Sequence, residues 1–113
     1  MIELIVLDYL NENSTIPWYM ETPVNPPEKF GLVHKTGSSV DNFIYRATFA
    51  LQTHADTLYE AALLNEETKR LMDQIITLPQ ISRSRLNSDY PFTNPAAKQY
   101  RYQAVYDLVH YGG

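Results

Sequence analysis

The chain has 113 residues, of which 44% are hydrophobic and 19% charged, so one globular domain spanning residues 1–113 is predicted rather than a disordered segment. It contains no cysteine, which excludes disulfide bonds and thiolate metal sites. The net charge of −4 disfavours stable binding to DNA, and the N-terminal apolar run, interrupted by Glu3 and Asp8, predicts neither a signal peptide nor a membrane span.

The first predicted elements are a short helix and a short strand. Met1–Asn11 places apolar residues at the three- and four-residue spacing of one helix face. Ile16–Met20 is typical of a strand, and because Pro17 and Pro23 bound it, an edge position is expected. The proline-rich segment Val24–Glu28 that follows predicts a stiff connector.

A hairpin is predicted next. Phe30–Lys35 is assigned as one strand, and Thr36–Ser39 has the composition of a turn in which Gly37 is free to adopt a positive φ. Asp41–His54 alternates apolar and polar residues, the pattern of a strand with one buried face. The two strands are therefore expected to pair across Gly37.

The longest predicted helix covers Thr57–Leu78. Thr57 and Glu60 have the spacing of a capping box, in which a threonine side chain accepts a hydrogen bond from an amide of the first turn. A stripe of apolar residues runs along the segment, and Pro79 is expected to end it.

Two further strands are predicted, a short polar one at Ile81–Asn87 and a long one at Tyr100–Tyr111, joined by a loop at Ser88–Gln99. The resulting order is α-β-β-β-α-β-β. It predicts the α+β class, with a mainly antiparallel sheet of four to five strands and two helices packed on one face.

Chemistry-bearing residues are sparse. His54 and Asp56 could offer two metal ligands after a strand, but no third ligand is identifiable, and His110 is expected to be a partly exposed strand residue. The sequence has no nucleophile elbow, zinc-binding histidine pair or glycine-rich phosphate loop. A protein that is not an enzyme, with no catalytic residue, metal or cofactor, is therefore expected.

Four arginines are predicted on polar strand faces: Arg46, Arg83, Arg85 and Arg101. Together with nine tyrosines they could form a surface for single-stranded nucleic acid. Arginine and tyrosine are also enriched in protein–protein interfaces, and the negative net charge favours that second interpretation.

Trp18 and Tyr19 lie between two prolines on the predicted edge strand. Aromatic side chains of this size are costly to leave in water. They are therefore either anchors for a neighbouring subunit or part of the core beneath the first helix, and the sequence leaves both alternatives open.

An ordered set of short segments carries a family resemblance that covers nearly the whole chain. The segments are PPEKF at 26–30, TG at 36–37, NFIxRAT at 42–48 with position 45 free, ALQ at 50–52, YEAALLNE at 59–66, RLNSDY at 85–90 and KQYRYQAVYD at 98–107. In this order they resemble the tail-terminator, or tail-completion, proteins of long-tailed bacteriophages and prophages of Gram-positive bacteria.

The resemblance implies a structural virion protein located at the head-proximal end of the tail and assembled in the host cytoplasm. Its implied partners are its own copies in a hexameric ring, the tail tube protein and the head–tail connector protein, with DNA passing through without stable binding. The alternatives are a connector stopper or adaptor subunit and, from another class, a small nucleic-acid-binding accessory protein.

Overall fold

A computed structural model describes residues 1–92 and 100–112. Two helices and five strands follow one another along the described chain. They are α1 (Ile2–Asn13), β1 (Trp18–Tyr19), β2 (Phe30–Asp41), β3 (Ile44–Ala55), α2 (Leu58–Gln74), β4 (Ile81–Pro91) and β5 (Tyr100–His110), with a 3₁₀ turn at Ile75–Thr77 after α2. The predicted α+β class and element order are confirmed.

The five strands form one sheet in the order β1-β2-β3-β5-β4. All neighbours are antiparallel except β1 and β2, which run parallel. The chain leaves β3 through α2, enters the far edge as β4 and returns as β5 between β4 and β3. This return places the two long strands β3 and β5 side by side at the centre.

Both helices pack on the same face of the sheet. The buried side of α1 consists of Ile2, Val6, Tyr9 and Leu10 and lies against β1 and β2. The second helix buries Ala61, Thr68, Leu71 and Met72, among others, against β3, β4 and β5. The periodicity seen in the sequence therefore reports the side of each helix that faces the sheet.

The ends of α2 agree with the sequence signals. The Thr57 hydroxyl accepts a hydrogen bond from the Glu60 amide at 3.1 Å, so the predicted N-cap is confirmed. The Glu60 carboxylate instead pairs with Lys29 at 3.2 Å. The α-helix ends at Gln74 and the 3₁₀ turn continues to Thr77, two residues before Pro79.

Hydrogen bonds satisfy the polar ends of two buried tyrosines in the core. The Tyr9 hydroxyl donates to the Leu71 carbonyl at 2.7 Å. The Tyr106 hydroxyl lies 2.9 Å from the Asp73 carboxylate and 3.1 Å from the Lys69 carbonyl, and burial followed by Asp73 raises the pKa of Tyr106 well above its ordinary value. The rings fill the core, and these bonds tie α2 to α1 and to β5.

The predicted turn at Thr36–Ser39 is wrong. The strand β2 continues through these residues with a bulge between Lys35 and Gly37, and pairs with β3 as far as Asp41. The hairpin turns at Asn42 and Phe43, whose φ angles are 50° and 65°. Two consecutive positive φ angles define the type I′ turn that matches the twist of a hairpin.

The strand β4 is longer than predicted. It runs to Pro91 rather than to Asn87, with register shifts at both Ile81/Arg83 and Leu86/Ser88. The predicted loop at Ser88–Gln99 is therefore wrong for its first four residues, and residues 93–99 of that prediction lie outside the described part of the chain.

Candidate assembly surface

The face of the sheet opposite the helices, called the open face here, is built from the alternate residues of each strand. Neighbouring side chains of a strand point to opposite sides of the sheet. On β5, Tyr106 and Leu108 therefore face the helices together with their cross-strand partners, whereas Asp107 and Val109 point away from the helices. The open face carries His34, Arg46, Thr48, Ala50, Gln52, His54, Arg83, Arg85, Arg101, Gln103, Val105, Asp107 and Val109.

Three of the predicted arginines come together at one end of this face. Arg46 on β3 and Arg83 on β4 are both in register with Val109 of the intervening strand β5, and Arg85 is in register with Asp107. All three arginines are exposed and line one depression of about 410 Å³. Arg46, Arg83 and Arg85 are called the arginine patch below.

The arginine patch is not neutralised by an ion pair among the described residues. The ion pairs found in residues 1–92 and 100–112 use Lys29, Lys35 and Lys69 as their cations. Asp107 lies beside the patch but accepts its hydrogen bonds from neutral groups, the Thr48 hydroxyl at 2.7 Å and the Asn87 amide at 3.0 Å. The patch is therefore a concentration of positive charge on a protein of net charge −4.

Arg101 lies apart from the patch. It is in register with His54, eight residues along β3 from Arg46, which corresponds to about 26 Å at about 3.3 Å per residue. Its guanidinium stacks over the ring of Phe92 at 4.4 Å, and its Nε donates to the Phe92 carbonyl at 2.8 Å. These contacts hold Arg101 at the opposite end of the open face, where it is half-buried.

Trp18 lies in the core, so of the two alternatives that the sequence left open, burial is confirmed for this residue and the interface anchor is wrong. Its side chain is only 3% exposed and lies directly over Gly31, where there is no Cβ to obstruct it. The indole Nε1 donates to the Ser14 hydroxyl at 2.9 Å. A glycine inside a strand often marks close approach by another group, and Gly31 was the sequence signal for this arrangement.

Tyr19 differs from its neighbour. It is half-buried and packs edge-on against Phe30, with the two ring centroids 6.3 Å apart. Of the predicted aromatic pair, only Tyr19 therefore retains accessible surface.

His54 is buried on the open face, near Arg101. It is 8% exposed, its ring stacks on Phe30 at a centroid distance of 4.5 Å, and its Nε2 has no hydrogen-bond partner within the described residues. Burial, followed by the charges of Arg101 and His34, lowers the pKa of His54 to about 4. A histidine in this setting is held in its neutral form.

No cluster of three or more possible metal ligands occurs in residues 1–92 and 100–112, so His54 and Asp56 have no third ligand there. His110 was predicted to be partly exposed, which is wrong. It is 7% exposed because it faces the helices beside Tyr45 and Ile81, and this burial lowers its pKa.

The hairpin tip is an exposed feature that the sequence did not indicate. Phe43 is 93% exposed and is followed by Ile44, which is 42% exposed. From Val33 onward β2 is an edge, because β1 pairs only with Gly31 and Leu32. The signal that was available is Asn42, since asparagine tolerates a positive φ better than most residues.

Comparison with known proteins adds no family, since no family model and no curated protein matches the chain. Within the described residues, neither helix has the length and apolar character needed to cross a membrane.

Proposed function

We propose that the chain is a tail terminator of a long-tailed bacteriophage. In this role it caps the head-proximal end of the tail tube as a ring of its own copies, stops tube polymerisation and provides the joint to the head connector. The chemistry required is binding rather than bond breaking, and its partners are sister subunits, the tube protein and the connector protein.

The observation that carries this proposal is the open face of the sheet. A single-layer sheet covered by helices on one side leaves the other side accessible to solvent or to a partner, and here that side holds the three arginines of the arginine patch, which have no ion-pair partner among the described residues. Arginine is enriched in protein interfaces because its planar guanidinium binds carboxylates with two parallel hydrogen bonds.

Several further features fit a ring-forming subunit. Heterologous contacts that close into a ring require two different patches on each subunit, and the open face and the helix layer are different surfaces of one molecule. The net charge of −4 suits a ring through which DNA passes without stable binding. The ordered sequence resemblance to tail-terminator proteins supports the same role.

Electron microscopy of phage particles that lack this protein tests the proposal. Abnormally long tails are expected, because nothing would stop tube polymerisation. Tails of normal length that remain unjoined to leaking heads would contradict the proposal and would identify a connector stopper or adaptor instead.

The purified protein is expected to be largely monomeric, or a weak oligomer, until it meets the end of a tail tube. Light scattering of the isolated protein measures this. A tight hexamer whose mass does not change on dilution would contradict this expectation, while the tail-length experiment would still decide the function.

A further inference from the structure

Charge is divided between the two layers of the molecule. The two helices contain seven carboxylates and two cations, an excess of five negative charges. The strands contain five cations and three carboxylates, an excess of two positive charges. Lys35 and Asp89 belong to strands but face the helices, where they pair with Glu3 and Lys69, so the excess of two positive charges lies on the open face.

The acidic surface of the helix layer is most concentrated on α1. This helix contains no lysine or arginine, and its two exposed carboxylates, Asp8 and Glu12, are four residues apart on one helix face. Neither takes part in a hydrogen bond or ion pair within the described part of the chain. Two like charges at this spacing repel each other unless a cation lies between them.

Each subunit thus presents two uncompensated patches of opposite sign. The arginine patch is on the open face, and the carboxylates of Asp8 and Glu12 are on the helix layer that covers the other face. A group of arginines and a pair of carboxylates are chemically matched, since each guanidinium can form two hydrogen bonds with a carboxylate.

We propose that the arginine patch of one copy binds the Asp8 and Glu12 carboxylates of a second copy. This inference deepens the proposed function, because it names the two surfaces that join neighbouring subunits in the ring. The patches lie on different layers of the molecule, so the expected contact is head to tail rather than a two-fold dimer. Successive copies form a ring when the rotation per copy closes and an open filament when it does not.

The contact is weak in solution and sensitive to salt. Both patches are exposed, and ion pairs at exposed positions contribute little because water and dissolved ions screen them. Raising the salt from about 0.1 M to about 1 M shortens the screening length from about 10 Å to about 3 Å, so self-association is expected to weaken by at least about tenfold.

Sedimentation velocity over a concentration series tests the contact. The full chain is expected to self-associate at about 0.1 M salt and to dissociate at about 1 M salt. The double variant Arg83→Glu/Arg85→Glu is expected to lose self-association at low salt, and Asp8→Lys/Glu12→Lys is expected to lose it as well. All four positions are exposed, so circular dichroism spectra of the variants should match that of the unmodified protein.

The decisive experiment combines the two double charge reversals in one chain. A chain with all four substitutions carries both patches with exchanged signs, so it is expected to self-associate again, as is an equimolar mixture of the two double variants. Two controls change the net charge by the same amounts at exposed sites elsewhere: Lys29→Glu/Arg70→Glu and Glu21→Lys/Glu28→Lys. Both controls are expected to associate as the unmodified chain does.

Three results would overturn this inference. The first is a chain that stays monomeric at every concentration. The second is a failure of the combined charge reversals to restore self-association. The third is a monomer that binds single-stranded DNA through the arginine patch at about 0.15 M salt. Failure of the contact is distinguishable from failure of the proposed function. If phage lacking the protein has abnormally long tails but the combined charge reversals do not restore self-association, the terminator role stands and the contact is wrong. If the combined reversals restore self-association but phage lacking the protein has tails of normal length, the contact stands and the terminator role is wrong.

Discussion

The two faces of the sheet follow from the same alternation but differ in what they contact. On β5, Leu108 points to the helices and is 1% exposed, whereas Val109, the next residue, points to the open face between Arg46 and Arg83. The covered face is buried by helix packing within one chain. The open face carries three arginines that no ion pair among the described residues neutralises.

The largest expected effect comes from removing a side chain on the covered face. Leu108→Ala is expected to lower the free energy of unfolding by about 2 to 5 kcal/mol, because it leaves a cavity in a packed core. Val109→Ala is the matched control on the open face and should cost less than about 1 kcal/mol. Chemical denaturation measures both, and equal losses would mean that the two faces are packed alike.

The buried histidine of the open face predicts a dependence on pH. Burial lowers the pKa of His54 from 6.5 to about 4, so protons bind the unfolded chain more readily than the folded one. Stability is therefore retained above pH 6.5 and lost as the pH falls toward about 4, by at most about 3 kcal/mol from this residue.

Denaturation of the protein and of His54→Gln across this pH range measures that loss. His110 titrates in the same direction, so the His54→Gln variant retains part of the slope. The variant should show a distinctly shallower slope than the unmodified protein. Identical slopes would show that His54 is accessible to water, and that this end of the open face is not packed.

The position of Trp18 on the covered side predicts a third effect. Gly31→Ala would place a Cβ inside the space of the indole ring and should cost about 1 to 3 kcal/mol through overpacking. Gly37→Ala adds the same methyl group to the same strand where no atom lies within 4 Å, and should change stability by less than about 0.5 kcal/mol. Thermal unfolding compares the two, and an unaffected Gly31→Ala would remove Trp18 from the core.

The smallest expected effect on folding comes from the arginine patch. Arg83→Ala/Arg85→Ala should leave the free energy of unfolding within about 0.5 kcal/mol of the unmodified value, since both side chains are exposed and outside every ion pair of the described residues. The same variant should lose self-association at low salt. Marked destabilisation would mean that these arginines stabilise the fold of one chain rather than its contact with a second copy.

Much of the fold was accessible from local signals. Alternation identified the central strands, because each has one face buried by helices, and the Thr57 cap located the start of α2. The turn was misplaced because Thr36–Ser39 has a turn-like composition, whereas its place in the strand is fixed by pairing with β3, including a hydrogen bond from the Thr36 hydroxyl to the Thr48 carbonyl at 3.3 Å. Pairing between strands is not encoded in the residues of one strand.

The candidate surface was accessible only in part. Alternation placed the four arginines on polar strand faces, but the strand order decides which of them meet. Insertion of β5 between β3 and β4 puts Arg46 level with Arg83 and leaves Arg101 at the far end. The burial of Trp18 likewise depends on the parallel pairing of β1 with β2, a contact between distant segments.

The measurement that tests the proposed assembly surface most directly is a concentration series of two-dimensional amide NMR spectra at low salt. Amide signals around Arg83 and Arg85 in β4, and around Asp8 and Glu12 in α1, are expected to shift together as the protein is concentrated, while those near Arg70 stay in place. Shifts confined to one of the two patches would mean a like-with-like contact, and the absence of shifts at both would contradict the account.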